Sequence, residues 1–249
     1  MKAKTVKKMI CVLSGAIVLA EFFAGPAAAL EFVVDRFSSE TGANGMPKGW
    51  ERLIFQKIPN HTRYTVIREG DNFYLKAASS NSSSGILKRI ELDPKAYSIL
   101  RWRWKIDHAL EKADATRKDG DDYPARIYVA FKYDPGRASI WERAKYGTAR
   151  KLYGQYPPKC ALNYVWDNKL PVGTSLNNAY TDRAKMIVME SGKEKAGQWV
   201  SEERDIYEDY KKLFGAEPPE IAFIAVMSDT DNTGESATAC FDDIVLESR

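Results

Sequence analysis

Ile99-Leu100-Arg101-Trp102-Arg103-Trp104-Lys105-Ile106 decides the architecture. A strand has a period of two, so these residues send Trp102 and Trp104 to one side and Arg101, Arg103 and Lys105 to the other. Three arrangements satisfy that asymmetry. The indoles pack between two sheets with the cations solvated outside; the cations line the concave surface of a sandwich; or the indoles turn outward as stacking platforms for sugar rings. The apolar flanks Ile99 and Ile106 speak against the third.

Outward from this stretch, short segments rich in Val, Ile, Tyr, Phe and Trp recur between clusters of Gly, Asn, Asp, Ser and Pro, which is how strands and their turns alternate. Strands are expected over residues 30–37, 63–68, 73–78, 85–92, 99–106, 126–133, 161–166, 184–190, 199–203, 221–228 and 237–246. Two stretches break the rhythm. Residues 139–152 hold good helix formers with Ile140, Ala144 and Leu152 near one stripe. In residues 205–214, Ile206, Tyr210, Leu213 and Phe214 follow helical spacing, and Gly215 is placed to supply a left-handed cap. The fold class expected is mainly β: a two-sheet, jelly-roll-like β-sandwich with one or two helical insertions.

The start of the chain reads as a leader. Lys2, Lys4, Lys7 and Lys8 precede an apolar run from Met9 to Ala20, and Pro26 precedes Ala27-Ala28-Ala29. That order matches a secretory signal peptide over residues 1–29. The run is too short to span a bilayer, which takes roughly 20 apolar residues. The expectation is cleavage after Ala29, one domain over residues 30–249, a periplasmic or secreted location, and no stable membrane insertion after cleavage. The net charge of +3 belongs to the leader: beyond residue 29 the chain holds 33 basic and 33 acidic residues. Formal neutrality gives no support for a nucleic-acid partner. Cys160 and Cys240 remain in what would be an oxidising compartment, and the sequence leaves open whether they form a disulfide.

Candidate ligand-binding residues come from the basic strands. In residues 126–133, Ile127, Val129, Phe131 and Tyr133 alternate with Arg126, Tyr128 and Lys132. Paired in one sheet with Arg103, these would form a basic, tyrosine-bearing concave face suited to carboxylate or sulfate groups, because a guanidinium grips planar anions through two parallel bonds. Asp122, Asn163 and Trp166 are expected as neighbours. Asp229-Thr230-Asp231-Asn232-Thr233-Gly234 has oxygen ligands at alternating positions, like the opening of a calcium loop, but its twelfth position is Cys240 rather than Glu. Asp229 and Asp231 are therefore candidate calcium ligands, against the alternative of a turn that satisfies its own backbone. No other cofactor is expected.

Enzyme signatures are sparse. His61 and His108 stand in no two-histidine metal motif and beside no nucleophile signature. Glu203-Arg204-Asp205-Ile206-Tyr207-Glu208 has the E-x-D-x-x-E spacing of one jelly-roll family of glycoside hydrolases, but the helical pattern over the same residues would splay the carboxylates.

Several motifs in one order resemble a bacterial secreted family, domain-of-unknown-function family 3047. They are Leu100 to Lys105, Asp119-Gly120-Asp121-Asp122-Tyr123-Pro124-Ala125-Arg126, Leu162-Asn163-Tyr164-Val165-Trp166, Arg204-Asp205 with Asp209-Tyr210 and Phe214-Gly215, and Ser228 to Gly234. The resemblance implies a secreted jelly-roll domain and assigns no reaction. More loosely, Asp242-Asp243-Ile244-Val245-Leu246 is similar to the last strand of galactose-binding-like modules. The functional expectation is a non-catalytic exported domain that binds a glycan or another cell-envelope polymer through Arg103, Arg126, Tyr128, Asp122, Asn163 and Trp166. The alternatives are a glycan hydrolase or lyase using carboxylates, Tyr128 and Arg126, and a structural envelope protein without a small ligand.

Overall fold

A computed structural model describes residues 29–38, 41, 45–153 and 156–249. The expected leader lies outside these, apart from Ala29. Among the described residues, the elements in chain order are β1 (Glu31–Asp35), β2 (Trp50–Leu53), β3 (Arg63–Glu69), β4 (Asn72–Ser80), β5 (Ser83–Leu92), β6 (Ile99–Ile106) and β7 (Tyr123–Phe131). There follow α1 (Ile140–Tyr153), β8 (Cys160–Asp167), β9 (Ser175–Asn178), β10 (Thr181–Ser191), β11 (Val200–Asp205), α2 (Ile206–Phe214), β12 (Ile221–Asp229) and β13 (Ser236–Glu247). No described helix is long and apolar enough to cross a membrane.

The strands form the expected two-sheet sandwich. One sheet runs β11-β6-β13-β4-β3, with β1 added to the far half of β13; the other runs β2-β5-β12-β7-β8-β10-β9. Between them the first of the three arrangements holds: Trp102 and Trp104 are buried, and the cations of β6 face away from the core. Trp102 lies against Tyr164 with ring centroids 5.4 Å apart, and Trp104 against Trp166 at 5.9 Å. Aromatic pairs of this kind add to the area they remove from water. The second sheet contributes Ile127, Val129 and Phe131 from β7 to the same core. Among the described residues, all strand pairings are antiparallel except β8 with β10. Leu30 and Ser248 close the two ends of the described domain on each other, with Leu30 N donating to Ser248 Oγ at 2.8 Å and Ser248 N to the Leu30 carbonyl at 2.8 Å.

β13 keeps its apolar face inward by a bulge. Asp243 is an extra residue in left-handed backbone, φ 48°, where the register with β6 shifts between Asp242 and Val245. Phe241 and Ile244, three residues apart, therefore both reach the core. Both helices are capped by local chemistry. In α1, Ser139 and Glu142 exchange bonds: Glu142 N donates to Ser139 Oγ at 3.2 Å, and Ser139 N to Glu142 Oε2 at 2.9 Å. In α2, Asp205 Oδ1 accepts from Glu208 N at 2.9 Å and Gly215 closes the helix at φ 66°.

Cys160 and Cys240 are free buried thiols. They sit on different sheets. Cys160 belongs to the core and donates to Tyr210 Oη at 3.5 Å, whereas Cys240 lies in register with Lys76 and Lys105 on the outward side of β13.

Candidate functional site

The outward face of the second sheet is hollowed into a groove of about 1000 Å³. Its floor is the polar side of β7 and its neighbours. Alternation on β7 puts Arg126, Tyr128, Ala130 and Lys132 into the groove, while β8 adds Asn163 and β12 adds Met227 and Asp229. Three of the six expected ligand-binding residues, Arg126, Tyr128 and Asn163, thus share one surface. Asp122 lies beneath it, buried, with its carboxylate accepting from Asn232 N at 3.2 Å and Thr233 N at 2.6 Å.

Arg103 and Trp166 do not join them, and the shared basic face is corrected accordingly. β6 and β7 belong to different sheets, so Arg103 lies on the opposite side of the sandwich from Arg126. It is clamped there by Asp242 at 2.5 Å and Asp243 at 2.9 Å, both turned to it by the bulge, and it covers the Trp199 ring at 4.9 Å. Trp166 has the opposite strand parity to Asn163. Its indole is fully buried against Trp104 and donates to the Gly192 carbonyl at 3.0 Å.

The groove is tyrosine-bearing but not basic. Arg89, Arg126 and Lys132 line it together with Glu91, Asp121, Asp229 and Asp231. Each cation is already paired: Arg89 with Glu51 at 3.1 Å, Lys132 with Glu91 at 2.8 Å and Glu220 at 3.0 Å, and Arg126 with Asp229. The Arg126 guanidinium also lies over the rings of Tyr123, at 4.9 Å, and Tyr128, at 5.6 Å. This spot is polar and incompletely satisfied. Arg126 Nε, Asn163 Oδ1 and Asp229 Oδ1 are buried and make no hydrogen bond within the protein. Tyr128 Oη finds the Met227 sulfur at 3.8 Å, and Asn163 Nδ2 the Met186 sulfur at 3.1 Å; both are weak acceptors.

Burial dominates the electrostatics. It pushes the Tyr128 phenol up to about 12, so this hydroxyl stays protonated at neutral pH. Asp229 is held well above the usual carboxylate range, first by desolvation and then by Asp122, Asp121 and Asp231, against the opposing pull of Arg126. Asp121 and Asp231 are likewise raised, burial being the largest cause for each.

Several groove residues were missing from the sequence-based set. Tyr180 stands 57% exposed at the rim, yet its hydroxyl is fixed, donating to the Lys118 carbonyl at 2.8 Å and accepting from Asn232 Nδ2 at 3.1 Å. Asn178 Nδ2 donates to Asp121 at 2.9 Å. Asn178 ends β9, a four-residue edge strand too short and polar to show a period, and Tyr180 lies in the turn that follows it. Tyr156 and the 36%-exposed Phe55 come from connecting segments. At the far end Tyr133 stacks on Tyr146 of α1, with ring centroids 3.7 Å apart.

The hydrolase-like spacing falls across a strand end and a helix start, and its carboxylates are not among the residues that line the groove. Glu203 is on β11 in the other sheet, paired with Arg101 at 2.8 Å, Asp205 caps α2, and Glu208 is in its first turn. Asp229 and Asp231 do approach each other, joined by Asp122, with oxygens of all three carboxylates within 4.8 Å.

No curated protein matches the chain. Among solved structures it is similar to a family 11 carbohydrate-binding module of a cellulosomal cellulase of Clostridium thermocellum, with 12% identity over 90% of this chain and 97% of that one, at a TM-score of 0.46. A cellulase derived from the Rhodothermus marinus Cel12A enzyme is 12% identical over 88% and 100%, at 0.42. A cleaved adhesin domain of Lys-gingipain from Porphyromonas gingivalis is 11% identical over 89% and 99%, at 0.40. These are likenesses of architecture. Residues 48–245 match the model of the family described as Protein of unknown function (DUF3047), and the chain belongs to that family.

Proposed function

We propose that this is an exported, non-catalytic domain that holds a glycan of the cell envelope or its surroundings in the groove of the second sheet, in the periplasm or outside the cell. The observation that carries the reading is the groove's chemistry. Donors and acceptors on the floor, Tyr128, Asn163 and Arg126, are flanked by rings at Tyr180, Phe55 and Tyr156 and by the apolar side chains of Leu53 and Leu87. A sugar ring has apolar faces and a hydroxyl edge, and such a surface matches both. The leader-like residues 1–29 support export.

Because every groove cation already has a carboxylate partner, the ligand favoured is a neutral polysaccharide rather than a uronate or sulfated one. Affinity electrophoresis and calorimetry against neutral and acidic polysaccharides test this. Retardation by a neutral glycan is expected, lost in Tyr180→Ala and Asn163→Ala with thermal stability of the Tyr180 variant unchanged. Silence of the wild type across the whole panel refutes it. Release of reducing ends or unsaturated sugars, abolished by Tyr128→Phe, would put an enzyme in its place.

A further inference from the structure

We propose that Asp122, Asp229 and Asp231 form a binding site for a calcium-class divalent cation at one end of the groove. The inference stands apart from the glycan reading, since it rests on carboxylates that the protein itself brings together from two distant segments. Asp122 enters from the residues before β7. Asp229 ends β12, and Asp231 follows in the turn that Asp122 pins through Asn232 N and Thr233 N. Their ligand-capable oxygens lie within 4.8 Å of one another, a spread that oxygen atoms around one ion at 2.3–2.6 Å would occupy.

A second observation points to a ligand. Asp229 is 1% exposed, and although its Oδ2 takes the Arg126 guanidinium, its Oδ1 is buried with no hydrogen-bond partner. A buried carboxylate oxygen left without a partner is costly, and a cation is the partner that a cluster of acids selects. The local charge agrees. Asp121, Asp122, Asp229 and Asp231 act on one another around the single guanidinium of Arg126, and Asn178 gives Asp121 a neutral donor only. Four carboxylates against one guanidinium leave three negative charges uncompensated in a largely buried place. The raised proton affinity of Asp229, Asp121 and Asp231 is the same imbalance expressed without a metal.

Oxygen-only ligands select a hard cation. Calcium is favoured over magnesium because it accepts irregular, flexible coordination, and here Asp229 comes from a strand end and is already shared with an arginine, Asp231 comes from a turn, and Asp122 from the residues before β7. Arg126 occupies Oδ2 of Asp229, and Oδ1 makes no hydrogen bond.

The test uses the full chain, stripped with EDTA and titrated with calcium chloride by calorimetry and thermal unfolding. One ion per chain is expected, with Tm rising roughly 5–10 °C at a hundredfold excess over Kd. Magnesium at equal concentration should give less than a tenth of the affinity. Asp231→Asn should lose at least roughly tenfold in calcium affinity while its metal-free Tm equals or exceeds that of the wild type, because a repulsive charge is removed. That second readout separates loss of a ligand from loss of the fold. No calcium heat and no Tm shift in the stripped wild type, an undiminished response from Asp231→Asn, or an equal response to magnesium would overturn the assignment.

Discussion

Glu202 offers a pH-dependent term that one substitution isolates. It sits on β11 opposite Trp102 in register and accepts the Trp104 indole N–H at 3.1 Å. Burial and then the neighbouring Glu190 raise its carboxyl from the ordinary 4.5 to about 7, against the Trp104 bond, Lys195 and Arg204, which pull it down. Between those two values the folded chain keeps a proton that the unfolded chain has released. Stability from this group is therefore present below the lower value, falls as pH rises through the window, and is gone above the upper one. At about 1.4 kcal/mol per pH unit, the full loss is at most about 3.5 kcal/mol. Glu202→Gln retains an acceptor for the indole and has no proton to lose. Urea unfolding followed by tryptophan fluorescence should show the two proteins within about 0.5 kcal/mol near pH 4, and the variant about 2–3 kcal/mol more stable near pH 8. Other carboxylates cancel in the difference. Parallel stability curves, or a variant that is the weaker one near pH 8, would refute the reasoning.

Three further outcomes are expected. Arg126→Met leaves the buried Asp229 carboxyl without its cation and should lower stability by about 3–5 kcal/mol at high pH, and by less as the pH falls and the carboxyl takes a proton; urea titration of Arg126→Met with Asp229→Leu should recover more than half of it. Gly120→Ala places a Cβ 2.8 Å from the Asp114 backbone nitrogen, and thermal unfolding should report a loss of roughly 1–3 kcal/mol as the segment bearing Asp121 and Asp122 shifts. Asp243→Ala puts a β-carbon without a compensating polar group into left-handed backbone and removes one Arg103 partner, for a loss of about 1–2 kcal/mol that Asp243→Asn largely avoids.

What the sequence made legible was local. Alternation in residues 99–106 and 126–131 assigned the side chains of those strands to the correct face, because strand parity needs no knowledge of the partner strand, whereas Tyr133, beyond the end of β7, lines the groove with Lys132 instead of joining the core. The same holds for α2, whose cap residues Asp205 and Gly215 lie within its own segment. Sheet membership was not legible. Whether Arg103 and Arg126 share a surface depends on pairings with β11, β13 and β12, set by contacts more than 90 residues away in the chain. The neutralisation of Arg126 was hidden for that reason: Asp229 is 103 positions distant and was read as part of a turn. β2 and β9, four residues each, were missed because so short a run has no measurable period.

The clasp between Leu30 and Ser248 sets how the molecule would respond to tension. Glu31 pairs with Glu247 and Val33 with Val245, so the beginning of β1 lies beside the end of β13. A pull applied at those two points runs across the strands and loads one inter-strand bond at a time, in the manner of a zipper. Sharing the load over several bonds would require pulling the two strands lengthwise past each other. Tethered at both ends, the domain should open at low force from this seam, with β1 peeling away before the tryptophan-packed interior is disturbed.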